Sequence, residues 1–589
     1  MAVLTRRTAL GGLAGSVLGG GLAGGCRSPI DPVNPDDPKL TDPATPFTAD
    51  VHTHVFNAVD VQTALIFEKV LEHDHPELQV FGPLLGDLGN FAPSVKDENE
   101  ALNGLEAAAN SRNHGIVQAA ARRLRKDRFQ EAQRRLVAAY NNVYGPAAAR
   151  YRMRGFASPA DEVRFEAAKA RLKYNIDLLA GSSDFETFRT KHRAELRATA
   201  LARAGAAPGV GGTVDGAFAF MVRDFSYRYA SVHEYLEEYS AGPKRKIDLM
   251  VTTYIDYDWP LGTEKSPPCS LAEQMALAER ISRLTRGWVH SNVPFCPFKQ
   301  VAFNRGLTAE NPIALVKDAV LNHGHIGVKF YPPMGFKPLD NESLRIGFWD
   351  DSPLVDKLKR PSLGRDLDDA LRALYDFCGT NDVPLMAHTS PTMVTLDKYK
   401  TEVLDPSFWA NVTAYKAGLR INFAHFGNTD ILTANGGDAN ARGLMALMTA
   451  GAGSPGERLY ADSAYLADML SNSGGMETEF AKLLARPPAP GRAPLAERLM
   501  YGTDWDMMVI EGKATAGYLD DFQAMFDRLA AKPGLDPGHD LVNRFFGLNA
   551  IEYLGLRPGQ RTRQRLDDFH RGRPQPAWMA KVGADTPRA

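Results

Sequence analysis

Asp50-Val51-His52-Thr53-His54-Val55-Phe56 is a short β-rich run in which two imidazoles are spaced by one residue. Side chains alternate along a strand, so His52 and His54 face the same way, about 7 Å apart, and can converge on one ion. Taken alone, such a pair is more often surface or core histidines than a metal site. Its companions along the chain decide the matter. Further apolar, β-rich runs follow at Ile247–Ile255, Gly287–Val293, Ile326–Tyr331, Val383–His388, Arg420–His425, Arg458–Asp462 and Arg498–Tyr501. Helix-like segments such as Leu271–Leu284, Pro312–Asn322, Leu367–Gly379 and Gly443–Ala450 separate most of them. Counting Thr48–Val55, eight strand-like runs alternate with helices. That alternation predicts an α/β fold, a (β/α)8 TIM-type barrel of parallel strands.

The gap from Val55 to Ile247 is too long for one crossover. Phe129–Tyr140 and Asp161–Leu179 carry apolar residues at three- and four-residue spacing, and Phe218–Tyr239 is a third such stretch, rich in aromatics. Gly205–Gly212 is a turn-rich break between them. Residues from about 80 to 240 are therefore expected to form a helical insertion after the first strand, on the catalytic face, where it can cap a site. The aromatic stripe reads as helix-packing core rather than substrate wall. The expected organisation is a leader over 1–26, a tether over 27–48, the barrel over 49–556 and a C-terminal tail over 557–589.

The leader carries Thr5-Arg6-Arg7-Thr8-Ala9-Leu10, which resembles a twin-arginine export signal. The apolar stretch Ala9–Ala23 is shorter than the roughly 20 residues a membrane-spanning helix needs. It ends in Leu22-Ala23-Gly24-Gly25-Cys26, which resembles a bacterial lipobox with its leucine one place further from the cysteine than usual. The resemblance implies export to the periplasm or cell envelope and membrane attachment through a lipidated Cys26. A simply cleaved signal is the alternative. Residues 27–48 are rich in proline and aspartate and have no means of building a core.

Charge excludes one class of partner. Lys and Arg total 68 against 70 Asp and Glu, so no global basic field recruits nucleic acid. The basic run Arg122–Arg135 also holds Asp127 and Glu131 and reads as a solvated helix face. Cys269, Cys296 and Cys378 are too widely spaced for a disulfide framework and read as small buried hydrophobes.

The remaining strand ends carry the chemistry. They read Val383-Pro384-Leu385-Met386-Ala387-His388-Thr389, Ile421-Asn422-Phe423-Ala424-His425-Phe426-Gly427 and Leu499-Met500-Tyr501-Gly502-Thr503-Asp504-Trp505. Each is an apolar run with a metal-competent side chain at its C-terminal end, where barrel active sites are assembled. Together with the His-x-His run they predict a metal site.

This ordered set resembles the amidohydrolase superfamily, and within it the branch that includes aminocarboxymuconate semialdehyde decarboxylase and related hydrolases. The similarity extends to Asn549-Ala550 and Leu554-Gly555-Leu556 and covers about residues 48 to 556. It implies that His52, His54, His388 and Asp504 ligate one metal, with His425 beside it as a general base or electrophile. Nitrogen and oxygen ligands without thiolates suit Zn2+, and less securely Mn2+ or Fe2+. Asp504 can bind the metal through one oxygen and accept a proton on the other.

Lys329, in Gly327-Val328-Lys329-Phe330-Tyr331-Pro332, admits several roles. In two-metal members of the superfamily a lysine on this strand is carbamylated and bridges two ions. The mononuclear branch does not need it, which leaves a substrate contact or a structural lysine. His290 reads as a core or supporting residue, Asp462 as a ligand-orienting or loop residue, and His73, His75, His323 and His325 as surface histidines. The expected activity is hydrolysis of an amide, ester or lactone carbonyl of a small-molecule substrate by a metal-activated water. Nonoxidative decarboxylation on the same ligands is the alternative, and a noncatalytic surface binding lipoprotein is a third reading.

Overall fold

A computed structural model describes residues 44–583 and 586, apart from 56, 61–75, 83, 85–91, 111–113, 146–157, 185–186, 189, 193–209, 225, 241–244, 391–395, 428–438, 450–457, 467–468, 470–471, 491, 509–514 and 537–539. The leader, its Cys26, most of the tether, His73 and His75 lie outside the described residues.

The strands are β1 Ala49–His54, β2 Leu249–Thr253, β3 Val289–Pro294, β4 Gly327–Phe330, β5 Leu385–His388, β6 Ile421–Ala424, β7 Leu459–Asp462 and β8 Leu499–Met500. They hydrogen-bond in chain order, and each neighbouring pair is parallel. The Val51 N–H donates to the Tyr501 carbonyl at 3.1 Å and the Thr503 N–H to the His52 carbonyl at 3.2 Å. These bonds bring the end of β8 back to β1, so the eight strands form a nearly closed (β/α)8 barrel. Each anticipated strand is present.

Alternation sorts the strand residues into two apolar layers. Ala49, Val51, Leu249, Val251, Tyr460 and Met500 pack together inside the barrel. Met250, Val289, Val328, Phe330, Leu385, Ile421 and Leu459 belong to the other layer, with helix residues such as Ile281, Val316 and Leu371. In β1 the alternation is interrupted. Asp50 pairs with Met250, but Thr53 pairs with Thr252, so one extra residue lies between them. The irregularity lets odd-numbered Ala49 and Val51 fill the interior below while even-numbered His52 and His54 line the site above. Asp50 is left on the opposite face.

The insertion after β1 is helical where it is described, with α1 Val95–Asn110, α2 His114–Tyr144, α3 Pro159–Ala180, α4 Val210–Asp224 and α5 Arg228–Ser240. The aromatic stripe of α5 packs on the barrel wall. The Tyr235 hydroxyl donates to Asp50 Oδ2 at 2.7 Å, its ring meets Trp288 and Trp505 edge-on, and Tyr239 bonds to Tyr501 at 3.0 Å. Helix α4 lies against the short helix Trp505–Met508 that follows Asp504. The stripe is therefore helix-packing core, and the insertion braces the β8–β1 seam from outside.

Two expectations need correction. The segment read as a tail over 557–589 folds into helices Arg561–Phe569 and Trp578–Lys581, whose Leu566, Trp578, Met579 and Val582 join the interior apolar layer. The parallel strands leave their N-terminal ends open, and this segment supplies the apolar surface that covers them. His325 is not a surface residue. Its ring is buried and bonded to the Tyr254 hydroxyl at 2.6 Å, which satisfies the imidazole inside the core. His323 keeps a partly exposed place, paired with Glu279 and Asp318. His290 is a core residue, bonded to the Gly324 carbonyl at 2.8 Å.

Trp578 tests the closing role of the C-terminal segment. It is 1% exposed and donates from Nε1 to the Gly287 carbonyl at 2.9 Å. Trp578→Ala is expected to cost about 3–5 kcal/mol of stability, read from the urea midpoint, because it leaves a cavity and an unpaired carbonyl. A midpoint unchanged from the parent would return residues 557–589 to the status of a tail.

Candidate metal centre

The C-terminal ends of β1, β4, β5, β6 and β7, together with the turn after β8, converge on one buried cluster of polar side chains. His52 and His54 come from β1, Lys329 from β4, His388 from β5, and Asp462 from β7. His425 opens the turn after β6, and Asp504 follows β8. One ligand atom from each of His52, His54 and Asp504 lies within 4.8 Å of the others. His388 is not among that trio and meets His425. The His425 ring lies 4.8 Å from the His52 ring and 4.5 Å from the His388 ring, centroid to centroid.

Hydrogen bonds assign the tautomers, because a carbonyl oxygen can only accept. His54 Nδ1 lies 3.1 Å from the Thr253 carbonyl and 2.9 Å from the Thr253 hydroxyl, whose Oγ1 also stands 3.3 Å from Nε2; a proton on Nδ1 satisfies the carbonyl and leaves the lone pair on Nε2. His425 Nδ1 donates to the Ala464 carbonyl at 2.9 Å, which leaves its Nε2 as an acceptor. That acceptor takes the Nδ1–H of His388 at 3.3 Å, so His388 Nε2 bears a lone pair as well. His52 Nδ1 donates to Asp462 Oδ2 at 3.1 Å, and its Nε2 accepts from Lys329 Nζ at 3.1 Å. Burial holds His52, His54 and His388 well below the usual histidine range and brings His425 down to about 4, so all four are neutral ligands or bases.

The arrangement fits a cation. Buried His388 Nε2 and Asp504 Oδ1 have no hydrogen-bond partner among the described residues. Asp504 Oδ1 stands 3.4 Å from His54 Nε2, with both side chains buried. Burial pushes the Asp504 carboxyl up to about 7, against the opposing pull of Lys329. A divalent ion held by these atoms would favour the ionised carboxylate. The same burial brings the Lys329 ammonium down to about 8, with Asp462 and Asp504 opposing it. Its Nζ lies 4.9 Å from the centre of the Tyr331 ring, and Tyr331 stacks on His388 at 5.0 Å.

The backbone is strained where these groups are presented. His425, Phe426 and Asp504 take positive φ of 63°, 51° and 52°. Each costs of order 1 kcal/mol and persists only where its surroundings hold it. The Asp504 N–H donates to the His52 carbonyl at 2.8 Å, and the His425 N–H to Asp462 Oδ1 at 2.9 Å. Gly502 permits the approach of β8 to β1, since a Cβ there would stand 3.1 Å from His52 Cβ.

The structure brings ligand atoms of His52, His54 and Asp504 within 4.8 Å of one another, with Lys329 and His425 beside His52 and His388 beside His425. It also adds groups that sequence reading left without a role. Asn422 donates to Asp462 Oδ2 at 2.6 Å, and Thr253 orients His54. Asp50, quoted in the first motif, accepts from Tyr235, from the Thr503 hydroxyl at 2.6 Å and from the Thr503 N–H at 3.1 Å. It pins the turn that carries Asp504. Strand alternation alone would have placed Asp50 beside the two histidines, and only the register shift in β1 separates them.

Residues 297–556 match the family model described as amidohydrolase. The matched span holds Lys329, His388, His425, Asp462 and Asp504, whereas His52 and His54 reach the same site from a strand that precedes it. No curated protein matches the chain. Among solved structures, an uncharacterized TIM-barrel protein from Bordetella bronchiseptica is similar at 15% identity, over 62% of this chain and 89% of that one, with a TM-score of 0.33.

Proposed function

We propose that the chain is a metal-dependent hydrolase acting on the amide, ester or lactone carbonyl of a small molecule. The observation that carries this reading is the buried trio of His52, His54 and Asp504, which offer one ligand atom each within 4.8 Å of the others, with Asp504 Oδ1 3.4 Å from His54 Nε2. The amidohydrolase match over the other site residues supports it. His52, His54 and Asp504 would hold the ion, with His388 Nε2 as the fourth donor, and N/O donors favour Zn2+. When bound, such an ion acts as a Lewis acid and generates a nucleophile from water near neutral pH. Asp504 offers its second oxygen to the proton that leaves this water. His425 commits its Nδ1–H to Ala464 and its Nε2 to His388, so that Nε2, on releasing His388, could take the proton over from Asp504 and pass it to the leaving group. Lys329 Nζ donates to His52 Nε2, and once an ion took that lone pair it would be free to donate to a substrate oxygen.

A panel of lactones, amides and aromatic carboxylates, offered to the Zn2+-loaded protein, separates this reading from decarboxylation. Carbonyl cleavage that stops on chelation and returns with Zn2+ is the expected result. Release of carbon dioxide without carbonyl cleavage would replace hydrolase by decarboxylase. Protein that binds ligands from the panel and turns over none would favour the binding-lipoprotein reading.

A further inference from the structure

Asp462 ends β7 with a carboxylate that is buried and saturated by four donors. Oδ1 accepts the backbone N–H groups of His425 at 2.9 Å and Ala464 at 3.1 Å. Oδ2 accepts His52 Nδ1–H at 3.1 Å and Asn422 Nδ2–H at 2.6 Å. Two of these partners belong to the chemistry of the site. One is the imidazole whose Nε2 must present a lone pair, and the other is the strained residue that carries the base. We propose that Asp462 is the positioning residue that couples the two halves of the centre, setting the His52 tautomer and holding the left-handed His425 turn with one carboxylate. This inference rests on the reading of His52 as a ligand.

The geometry makes Asp462→Asn a discriminating change at constant shape. A carboxylate offers two acceptor oxygens, while a carboxamide offers one and sets an NH2 in place of the other. Whichever way the amide turns, its NH2 meets a pair of donors. The backbone pair cannot change its chemistry, but His52 can. The amide oxygen therefore settles on the His425 and Ala464 N–H groups, and the NH2 faces His52 Nδ1. His52 then moves its proton to Nε2, so that Nδ1 accepts. A proton on Nε2 removes the lone pair that accepts from Lys329 Nζ at 3.1 Å and that an ion would need. Carboxylates that orient ligating histidines in this way typically contribute about 10–100-fold in metal affinity.

The test is to label the histidines with 15N and read the His52 tautomer by NMR, the signal being identified by its loss in His52→Gln. Affinity for Zn2+ is measured alongside by chelator competition. The unsubstituted protein without metal is expected to show Nδ1–H. Asp462→Asn is expected to show Nε2–H and to bind Zn2+ about 10–100-fold more weakly. An Nδ1–H tautomer that persists in Asp462→Asn, with affinity within about twofold, would overturn the proposal. So would Nε2–H in the unsubstituted protein, a measurement that does not require the variant to fold. Unsubstituted protein that shows Nδ1–H but binds no Zn2+ would refute the metal reading and leave the hydrogen-bond assignment intact.

Discussion

Asp504→Asn is expected to strip the protein of most of its tightly bound divalent ion, and His52→Ala to do the same. Asp504 contributes the one carboxylate in the trio of atoms within 4.8 Å. A carboxamide there keeps the shape but withdraws the negative charge that offsets a dication in a dry site. Changes one shell further out already cost about 10–100-fold in affinity, so loss of this ligand should exceed about 100-fold. Elemental analysis of the purified protein should give about one ion per chain in the parent and a small fraction of that in either variant, with turnover falling in parallel. Lys329→Ala should keep its ion, because in the proposed mononuclear reading His52, His54, Asp504 and His388 supply the donors without it. Two ions per chain in the parent, one of them lost in Lys329→Ala, would instead establish Lys329 as a bridging carbamate.

His425→Asn should separate chemistry from metal binding. His425 Nε2 meets His388 Nδ1 at 3.3 Å, and its own Nδ1 is spent on the Ala464 carbonyl. In the proposed mononuclear arrangement it is the base beside the centre. Asparagine preserves a hydrogen-bonding side chain of similar size but cannot take up a proton near neutral pH. General acid–base groups contribute about 10²–10⁴-fold in rate, and a fall in kcat within that range is expected while the ion is retained. His388→Asn should lose the ion, because it removes the buried Nε2 lone pair that has no hydrogen-bond partner among the described residues. Both variants should be measured together for metal content and turnover. Equal depletion of metal in the two would make His425 a ligand and remove its assignment as base.

Much of this site was legible from local pattern. An apolar run ending in His or Asp is a property of a few consecutive residues, and its burial in a parallel barrel follows from composition and period. So β5, β6 and β8 declared both the fold and His388, His425 and Asp504. The helical insertion was legible for the same reason, since α2 and α3 show their spacing within a single stretch.

What stayed out of reach depends on groups far apart in the chain. The register shift between Asp50 and Thr53 arises from pairing with β2, some two hundred positions away, and it decides that Asp50 faces Tyr235 while His52 faces the metal position. The tautomers of His52, His54 and His425 are dictated by acceptors on β7, β2 and the turn after β7, none of them adjacent in sequence. Residues 557–583 read as a tail because their apolar positions have no use until the barrel leaves an interior layer for Trp578 and Leu566 to cover. Residue type and period, which the sequence carries by itself, determined the barrel and the identity of its polar strand ends. The direction of each proton and lone pair was decided only by the tertiary structure, because a hydrogen bond needs its partner in place before its donor and acceptor can be told apart.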